Sequence, residues 1–404
     1  MNDMIDDARE LGLELLMTPR FTSLAVPDLR PDRAPVDAQS RQIERWLAAM
    51  KEGLLPTVRR EPEPKPPGIV ELDLVELDLA AGFDADERDI DYEDFHEDAA
   101  RFLAALDTGL PLRLIDGNGD ELGRFNGCGD VDGGRPALFL GVGTRSGFDR
   151  IADKFSLVED PSVNDKLANR YWGFEAFRRA AGRHIEAVDN PVDGMPILDA
   201  ILRMRDAGMK EVFIKGARPK SLITRIDATG TRQQILSRLL ETIEYEFERQ
   251  PEKDGFILQG VMEPRFEYRF VVIDQIPVTG AGVTAWATPL NSEDQWIGGA
   301  FCRKMTETPT GLHREERIAE YRTYMDFIPS VIHDLAQECP ELKNYSLDVC
   351  IDAKDGKPKV IELNGILNLG LYACRPKSIV EARIAQATAV LQARQSPGLR
   401  LGAC

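Results

Sequence analysis

The sequence predicts an α+β protein built from several units, and three observations carry that reading. The chain has 404 residues, more than one ordinary domain holds, so two or three compact units are expected. Hydrophobic residues make up 43% and charged residues 29%, which is globular composition. From Asp160 onward, helical periodicity alternates with short β-rich runs bounded by turn residues. The expected division is a helical appendage with a Pro-rich linker over 1–68, a small α/β unit over 69–160, a main α+β body over 161–395, and a C-terminal tail over 396–404.

In chain order, a helix is expected near 3–16 and a second over 38–54, followed by PTVRREPEPKPPG, whose prolines keep it extended. The unit VELDL then occurs twice, at Val70 and Val75, with strand-like alternation that changes phase between the copies and so calls for a bend or bulge. The acidic run DADERDIDYEDFHED reads as a solvated face leading into a helix that ends near Leu106, because its acids follow no ligand spacing. Strands are expected at 111–115 and 137–143. Beyond Asp160 the helical patterns cover 164–181, 197–207, 232–249, 314–337 and 378–394, and strands fall at 212–215, 256–262, 267–274, 277–286, 345–352 and 357–364.

Charge and cysteine usage narrow the function. Fifty Lys+Arg against 68 Asp+Glu give a formal charge of -18, so general binding to phosphate backbones is not expected. No stretch reaches the roughly 18 apolar residues of a membrane span, and the N-terminus carries acids where a secretory signal carries bases. The six cysteines, Cys128, Cys302, Cys339, Cys350, Cys374 and Cys404, lack zinc-ligand spacing and read as reduced thiols of a cytoplasmic protein.

The stretch SLDVCIDAKDGKPKVIELNG, 346–365, carries the most chemistry. Two β-rich runs flank Lys354-Asp355-Gly356, which suits a three-residue hairpin loop with Gly in the left-handed position. A loop centred on Asp355 sets Asp348 opposite Glu362, with Cβ atoms roughly 5 Å apart, and Asn364 shares their face. Two carboxylates so placed repel unless a cation joins them, and Mg²⁺ is a hard ion that takes oxygen ligands and shares them with phosphates. A two-residue turn would shift the register by one and send Asp348 to the other face, so the site requires the odd loop or a bulge. An ordinary hairpin with a polar face fits the same alternation.

Three other features matter. Lys215 ends a short apolar strand and precedes a loop containing Arg218 and Lys220, a placement that suits phosphates or simply a solvated strand end. In FILQGVMEPRFEYRFVVID, two strands meet across 262–265, where backbone groups can face a flat base and Glu263 or Glu267 a ribose; a structural Glu267–Arg269 pair reads equally well. NGILNLGLYA then places Asn368 and Gly370 in a loop where the backbone can approach a ligand closely, or an ordinary turn can form.

The order of these parts over about 160–385 resembles the ATP-grasp superfamily of ATP-dependent carboxylate–amine ligases, and the run ELNGILNLGLYA is similar to the ending of small phage-associated members. The resemblance implies two α+β lobes clasping nucleotide, with 69–160 standing in for the pre-ATP domain. It also implies nucleotide contacts from Lys215 and an earlier lysine, Lys166; an adenine hinge at Gln259, Val261 and Met262; and Glu263 or Glu267 at the ribose. Asp348, Glu362 and Asn364 would hold two Mg²⁺ ions, with Mn²⁺ a substitute, and Arg269 and Arg303 would meet phosphate or the substrate carboxylate. The phosphate loop departs from the pattern, since GARPKSLITRI has one Gly and several cations, with Lys220 and Ser221 able to reach phosphate.

The reaction so implied forms an acyl phosphate from a small-molecule or peptide carboxylate and ATP, then passes the acyl group to an amine, releasing ADP and phosphate. Two other readings stay open. Lys215 could carry a covalent nucleotide, as in polynucleotide ligases, although Lys-Gly-Ala-Arg stands where Lys-x-Asp-Gly is expected. The chain could also bind nucleotide without turnover. His96, His184, His313 and His333 lie far apart and read as structural or solvated.

Overall fold

The computed structural model describes residues 2–18, 92–129, 134–141, 145–189, 194–217, 223–249, 255–282, 296–297, 300–301, 303–308, 311–316, 318–372 and 374–395. The helix expected over 38–54, the Pro-rich linker, the doubled VELDL, the loop residues Lys220 and Ser221, and the tail lie outside the described residues. The fold is α+β, in two compact units, each drawn from separate segments. Elements are numbered in chain order.

The first unit comprises Met1–Ser162, Pro277–Glu315 and Ile366–Cys404. It contains α1 (Asn2–Glu10), β1 (Glu14–Met17), α2 (Tyr92–Leu106), β2 (Leu112–Ile115), β3 (Glu121–Phe125), β4 (Pro136–Phe139), α3 (Arg145–Lys154) and β5 (Ser156–Leu157), and ends with α9 (Pro376–Gln395). The sheet order is β3-β2-β1-β4-β5, with β1 parallel to both β2 and β4 and β3 antiparallel to β2. Leu13, Leu15 and Met17 point into one core with Phe102 of α2 and Ile384 of α9. Leu16 and Phe139 point into the other, against Phe148 and Ile151 of α3. A strand buried on both faces needs a continuous apolar run, and LELLM supplies one except at Glu14. The fully buried Arg113 of β2 meets that carboxylate at 2.6 Å, so the charge is paired inside the sheet. The same unit holds the short strands β11 (Ile276–Gly282), β12 (Trp296–Ile297), β13 (Ala300–Phe301), β14 (Arg303–Thr308) and β15 (Gly311–Glu316).

The second unit comprises Val163–Ile276 and Glu316–Gly365. Its helices are α4 (Pro161–Ala168, entering from the first unit's last residues), α5 (Glu175–Ala181), α6 (Met195–Asp206), α7 (Arg232–Arg249) and α8 (Ile318–Glu338), with a 3-10 turn at Tyr171–Gly173. Strands β6 (Ile185–Val188), β7 (Glu211–Gly216), β8 (Ile223–Asp227) and β9 (Phe256–Gly260) form an antiparallel sheet in the order β6-β9-β7-β8. Ile197 and Ile201 of α6 and Ile235 and Leu239 of α7 pack on its Val212, Ile214 and Leu258. A second antiparallel set runs β10 (Pro264–Ile273), β16 (Tyr345–Asp352) and β17 (Pro358–Gly365).

Three expectations change. The helix over 3–16 stops at Glu10, because Gly12 turns the chain at φ +72° and the next residues form the central strand β1. Leucines at helical spacing fit a strand buried on both sides equally well. The helix over 164–181 is split into α4 and α5, with Phe174 extended at φ −78° and ψ 130° between them. The helix over 314–337 begins only at Ile318, and residues 314–316 belong to β15. Strands β3, β6 and β8 have only four or five residues each, too few for alternation alone to mark them.

Candidate active site

The chemistry gathers in the second unit, where the ends of β7 and β17 meet. Asp348 and Glu362 are cross-strand partners, as expected, but a bulge and not the turn puts them there. From the turn outward the pairs are Ile351 with Pro358, Cys350 with Lys359 and Val349 with Val360. The register then shifts by one residue, leaving Ile361 as the extra residue, and Asp348 pairs with Glu362, Leu347 with Leu363 and Ser346 with Asn364. The loop itself spans 353–356: the Gly356 N–H donates to the Asp352 carbonyl at 2.8 Å, and the Asp352 N–H to the Lys357 carbonyl at 3.0 Å. The three-residue loop is therefore corrected, and the bulge restores the shared face.

Two cations cover the two carboxylates. Arg269 of β10 is buried and donates twice to Asp348, from Nε at 2.7 Å and from Nη2 at 2.6 Å. Lys215, at the end of β7, forms an ion pair with Glu362. Asn364 Nδ2 donates to Asp348 Oδ2 and to Glu362 Oε1, each at 3.2 Å, tying both carboxylates to one amide. Burial pushes the Asp348 pKa up against the pull of Arg269. For Glu362 burial acts in the same sense, but Lys215, Asn364 and Arg269 together outweigh it and the pKa falls below the usual value. Lys215 answers in kind: burial lowers its pKa, Glu362 raises it, and the net shift is upward, so the ammonium keeps its proton.

The buried Tyr171 lies over this pair, with the Lys215 Nζ 5.9 Å from its ring centroid, and burial pushes its hydroxyl up to about 12. Arg183, just past α5, donates from Nε to Gln259 Oε1 at 2.8 Å, from Nη1 to the Val360 carbonyl at 2.6 Å and from Nη2 to the Ile361 carbonyl at 2.8 Å. Neither residue was singled out in the sequence: Tyr171 looked like helix interior, and Arg183 precedes the unmarked strand β6.

The expected hinge runs from Gln259 to Glu263: Gln259 and Gly260 end β9 and 261–263 connect to β10, which begins at Pro264, so the junction expected across 262–265 is shorter than expected. The hairpin loop is latched to it. Lys354 Nζ donates to the Val261 carbonyl at 2.6 Å, the Ala353 N–H to the Glu263 carbonyl at 2.8 Å, and the Glu263 N–H to Asp352 Oδ1 at 3.1 Å. Met262 Sδ lies 3.8 Å from Cys350 Sγ, and Gln259 is buried. The side chains of Glu263 and Glu267 are exposed. Beyond the hinge, Phe266 is held at φ +45° by a hydrogen bond from the Tyr324 hydroxyl to its carbonyl, beside a second bulge in β10.

Lys166 lies exposed on α4, outside the contacts that join the cluster. Arg303 opens β14 and Asn368 closes the 3-10 turn Ile366–Asn368; both belong to the first unit, and their side chains are outside what is described. Gly370 also belongs to the first unit.

Two carboxylates and an amide form an all-oxygen donor set once the Asn364 amide presents Oδ1, which suits a hard divalent cation. Among the described residues, no group of three or more His, Cys, Asp and Glu is arranged for a metal, so any cation here rests on this mixed set. Among the same residues no helix is long and apolar enough to cross a membrane.

The chain is similar in structure to D-cycloserine synthetase DcsG, with 14% identity, 94% of this chain and 100% of that chain covered, and a TM-score of 0.45. It is also similar to the ATP-grasp ligase PsnB complexed with minimal precursor, with 11% identity, coverage of 62% and 78%, and a TM-score of 0.37. A third similar structure is the RimK domain ATP-grasp protein from Sphaerobacter thermophilus, with 13% identity, coverage of 72% and 94%, and a TM-score of 0.39. No protein-family model and no curated protein matches the chain.

Proposed function

We propose that this chain is an ATP-grasp ligase that joins a carboxylate to an amine at the expense of ATP. The observation that carries the reading is the cluster itself: Asp348, Glu362 and Asn364 on one face of a hairpin, with Lys215 and Arg269 against them. A site that handles triphosphate needs hard oxygen donors for cations and fixed positive side chains for the phosphates. Bound at the three oxygens, Mg²⁺ would supply positive charge to the phosphate oxygens of the nucleotide. Mn²⁺ would substitute, and a count of two ions is assigned to these three residues by resemblance alone.

In this reading Arg269 keeps the Asp348 carboxylate in place and adds a permanent positive charge. Lys215 serves as a charge donor to phosphate, because its raised pKa keeps the ammonium protonated. The same protonation disfavours the covalent alternative, which needs a neutral amine to attack phosphorus. The hinge from Gln259 to Glu263 would face the base, and Glu263 or Glu267 would meet the ribose. Lys166, Lys220, Ser221 and Arg303 are assigned to phosphate or substrate by resemblance, with Asn368 and Gly370 at the substrate.

A substrate carboxylate oxygen would attack the γ-phosphorus, the bond to the β–γ bridging oxygen would break, and ADP would leave. The amine would then attack the acyl carbon and expel phosphate. The acceptor class, amino acid, peptide or small amine, follows from assay. Purified protein should be incubated with Mg-ATP, pooled amino acids and small carboxylates, and the products measured. Substrate-stimulated ADP and phosphate, absent in an Asp348→Ala/Glu362→Ala variant, supports the reading. AMP with pyrophosphate, or label retained on Lys215, overturns it in favour of nucleotidyl transfer.

A further inference from the structure

We infer that Arg183 is a positioning residue that holds the β17 bulge and thereby sets Asp348 and Glu362 on one face. The inference rests on the cation-holding role proposed for those carboxylates. Its ground is a geometric one. Along a regular strand, successive carbonyls point to opposite sides, so a single guanidinium at one edge meets only every second one. Arg183 takes two in succession, Val360 at 2.6 Å and Ile361 at 2.8 Å. Only where the ladder is interrupted can both turn the same way, and the interruption falls between the pairs Val349–Val360 and Asp348–Glu362.

The register near the turn shows what the bulge prevents. Extended without a shift, the pairing of Ile351 with Pro358 and Cys350 with Lys359 would set Asp348 opposite Ile361. Glu362 would then face the other side of the sheet, away from Asp348 and Lys215. The bulge turns two successive carbonyls toward one edge, and carbonyls left without a donor in a partly buried place cost stability. Arg183 is that donor, and its fork suits two adjacent acceptors better than an ammonium does.

The rest of its bonding fits a positioning role. The further bonds of Arg183 go to Gln259 Oε1 at 2.8 Å and to the Ala181 carbonyl at 3.3 Å, so all four acceptors are neutral oxygens. Its bonds thus link the end of α5, the hinge side of β9 and the bulge of β17. Gly182 sets the direction of approach: it takes φ +57° at the end of α5, a left-handed turn that closes the helix just before Arg183.

The test compares wild type with Arg183→Met, Arg183→Lys and, as a control on α6, Arg203→Ala, whose side chain is exposed and pairs with Glu186 of β6. Mn²⁺ affinity in the presence of ADP is followed by electron paramagnetic resonance, and amide exchange is followed over 358–365. Both Arg183 variants should bind Mn²⁺ at least tenfold more weakly than wild type and exchange faster over 358–365, while Arg203→Ala matches wild type. Lysine keeps the charge but not the fork, so its failure to rescue separates positioning from simple electrostatics. If Arg183→Met does not fold, Arg183→Lys alone decides. Wild-type affinity in either variant overturns the inference. A wild-type protein that takes up no Mn²⁺ would instead bring down the nucleotide-site reading. The exchange arm then judges Arg183 by itself: faster exchange over 358–365 in the variants upholds the bulge role, and unchanged exchange removes it.

Discussion

Arg269 grips Asp348 through two parallel hydrogen bonds, 2.7 and 2.6 Å long, and both side chains are more than nine-tenths buried. The pair joins β10 to β16 at the position where Asp348 also meets Asn364. A bidentate contact of this kind fixes the orientation of the carboxylate as well as its charge.

Removing one partner should therefore cost more than removing both. Arg269→Met leaves a buried carboxylate uncompensated, a loss of about 3–5 kcal/mol. The double variant Arg269→Met/Asp348→Leu should recover most of that loss in urea unfolding. A single variant no less stable than the double would show that the pair is not the constraint described.

Asp352 gives a prediction in pH. Burial raises its pKa, but the Lys359 ammonium and the N–H groups of Lys354 and Glu263 outweigh burial, and the net shift is downward. A carboxyl depressed in the folded state contributes stability above its unfolded pKa, about 3.9, and that contribution disappears as pH falls through the folded value. Asp352→Asn should thus unfold more easily than wild type at neutral pH, and the gap should narrow steadily in acid. The melting temperatures of both proteins as a function of pH measure it. A gap that is as wide in strong acid as at neutrality would mean that the charge of Asp352 is not what matters.

Gly365 is required by a close approach. A Cβ at this position would lie 2.8 Å from the Asp165 Cα and nearer still to its carboxyl group. Gly365→Ala should displace α4 or the end of β17, at a cost of about 1–3 kcal/mol. Trimming the neighbour, in Gly365→Ala/Asp165→Ala, should restore part of it. Chemical denaturation of the three variants tests this, and an unperturbed single variant would exclude the close contact.

The hairpin is legible in the sequence because β16 alternates cleanly, β17 is rich in β-formers, and the Lys-Asp-Gly turn lies between them. The pairing of Asp348 with Glu362 needs either an odd loop or a bulge, and of these two routes the structure uses the bulge. The adjacent Val360 and Ile361 break the alternation of β17 where the bulge falls, but the donor that meets its carbonyls, Arg183, lies 177 and 178 residues away. Lys215 and Arg269 are legible for a local reason, since Lys215 ends a short apolar run and Arg269 lies in a strand whose two faces alternate. Tyr171 was not, because the helical pattern across it runs on through a break set by tertiary packing. The strand β1 was misread for a related reason: a leucine run of that length satisfies helical and strand spacing together, and only its place between β2 and β4 decides.

The central claim is that Asp348, Glu362 and Asn364 hold the cations of a bound nucleotide beside Lys215. The most direct measurement is titration calorimetry of ATP into wild type and into Asp348→Asn/Glu362→Gln, with and without Mg²⁺. The account predicts Mg²⁺-dependent ATP binding in wild type and loss of that dependence in the variant. ATP binding that ignores Mg²⁺, or that is unchanged by the two substitutions, would contradict it.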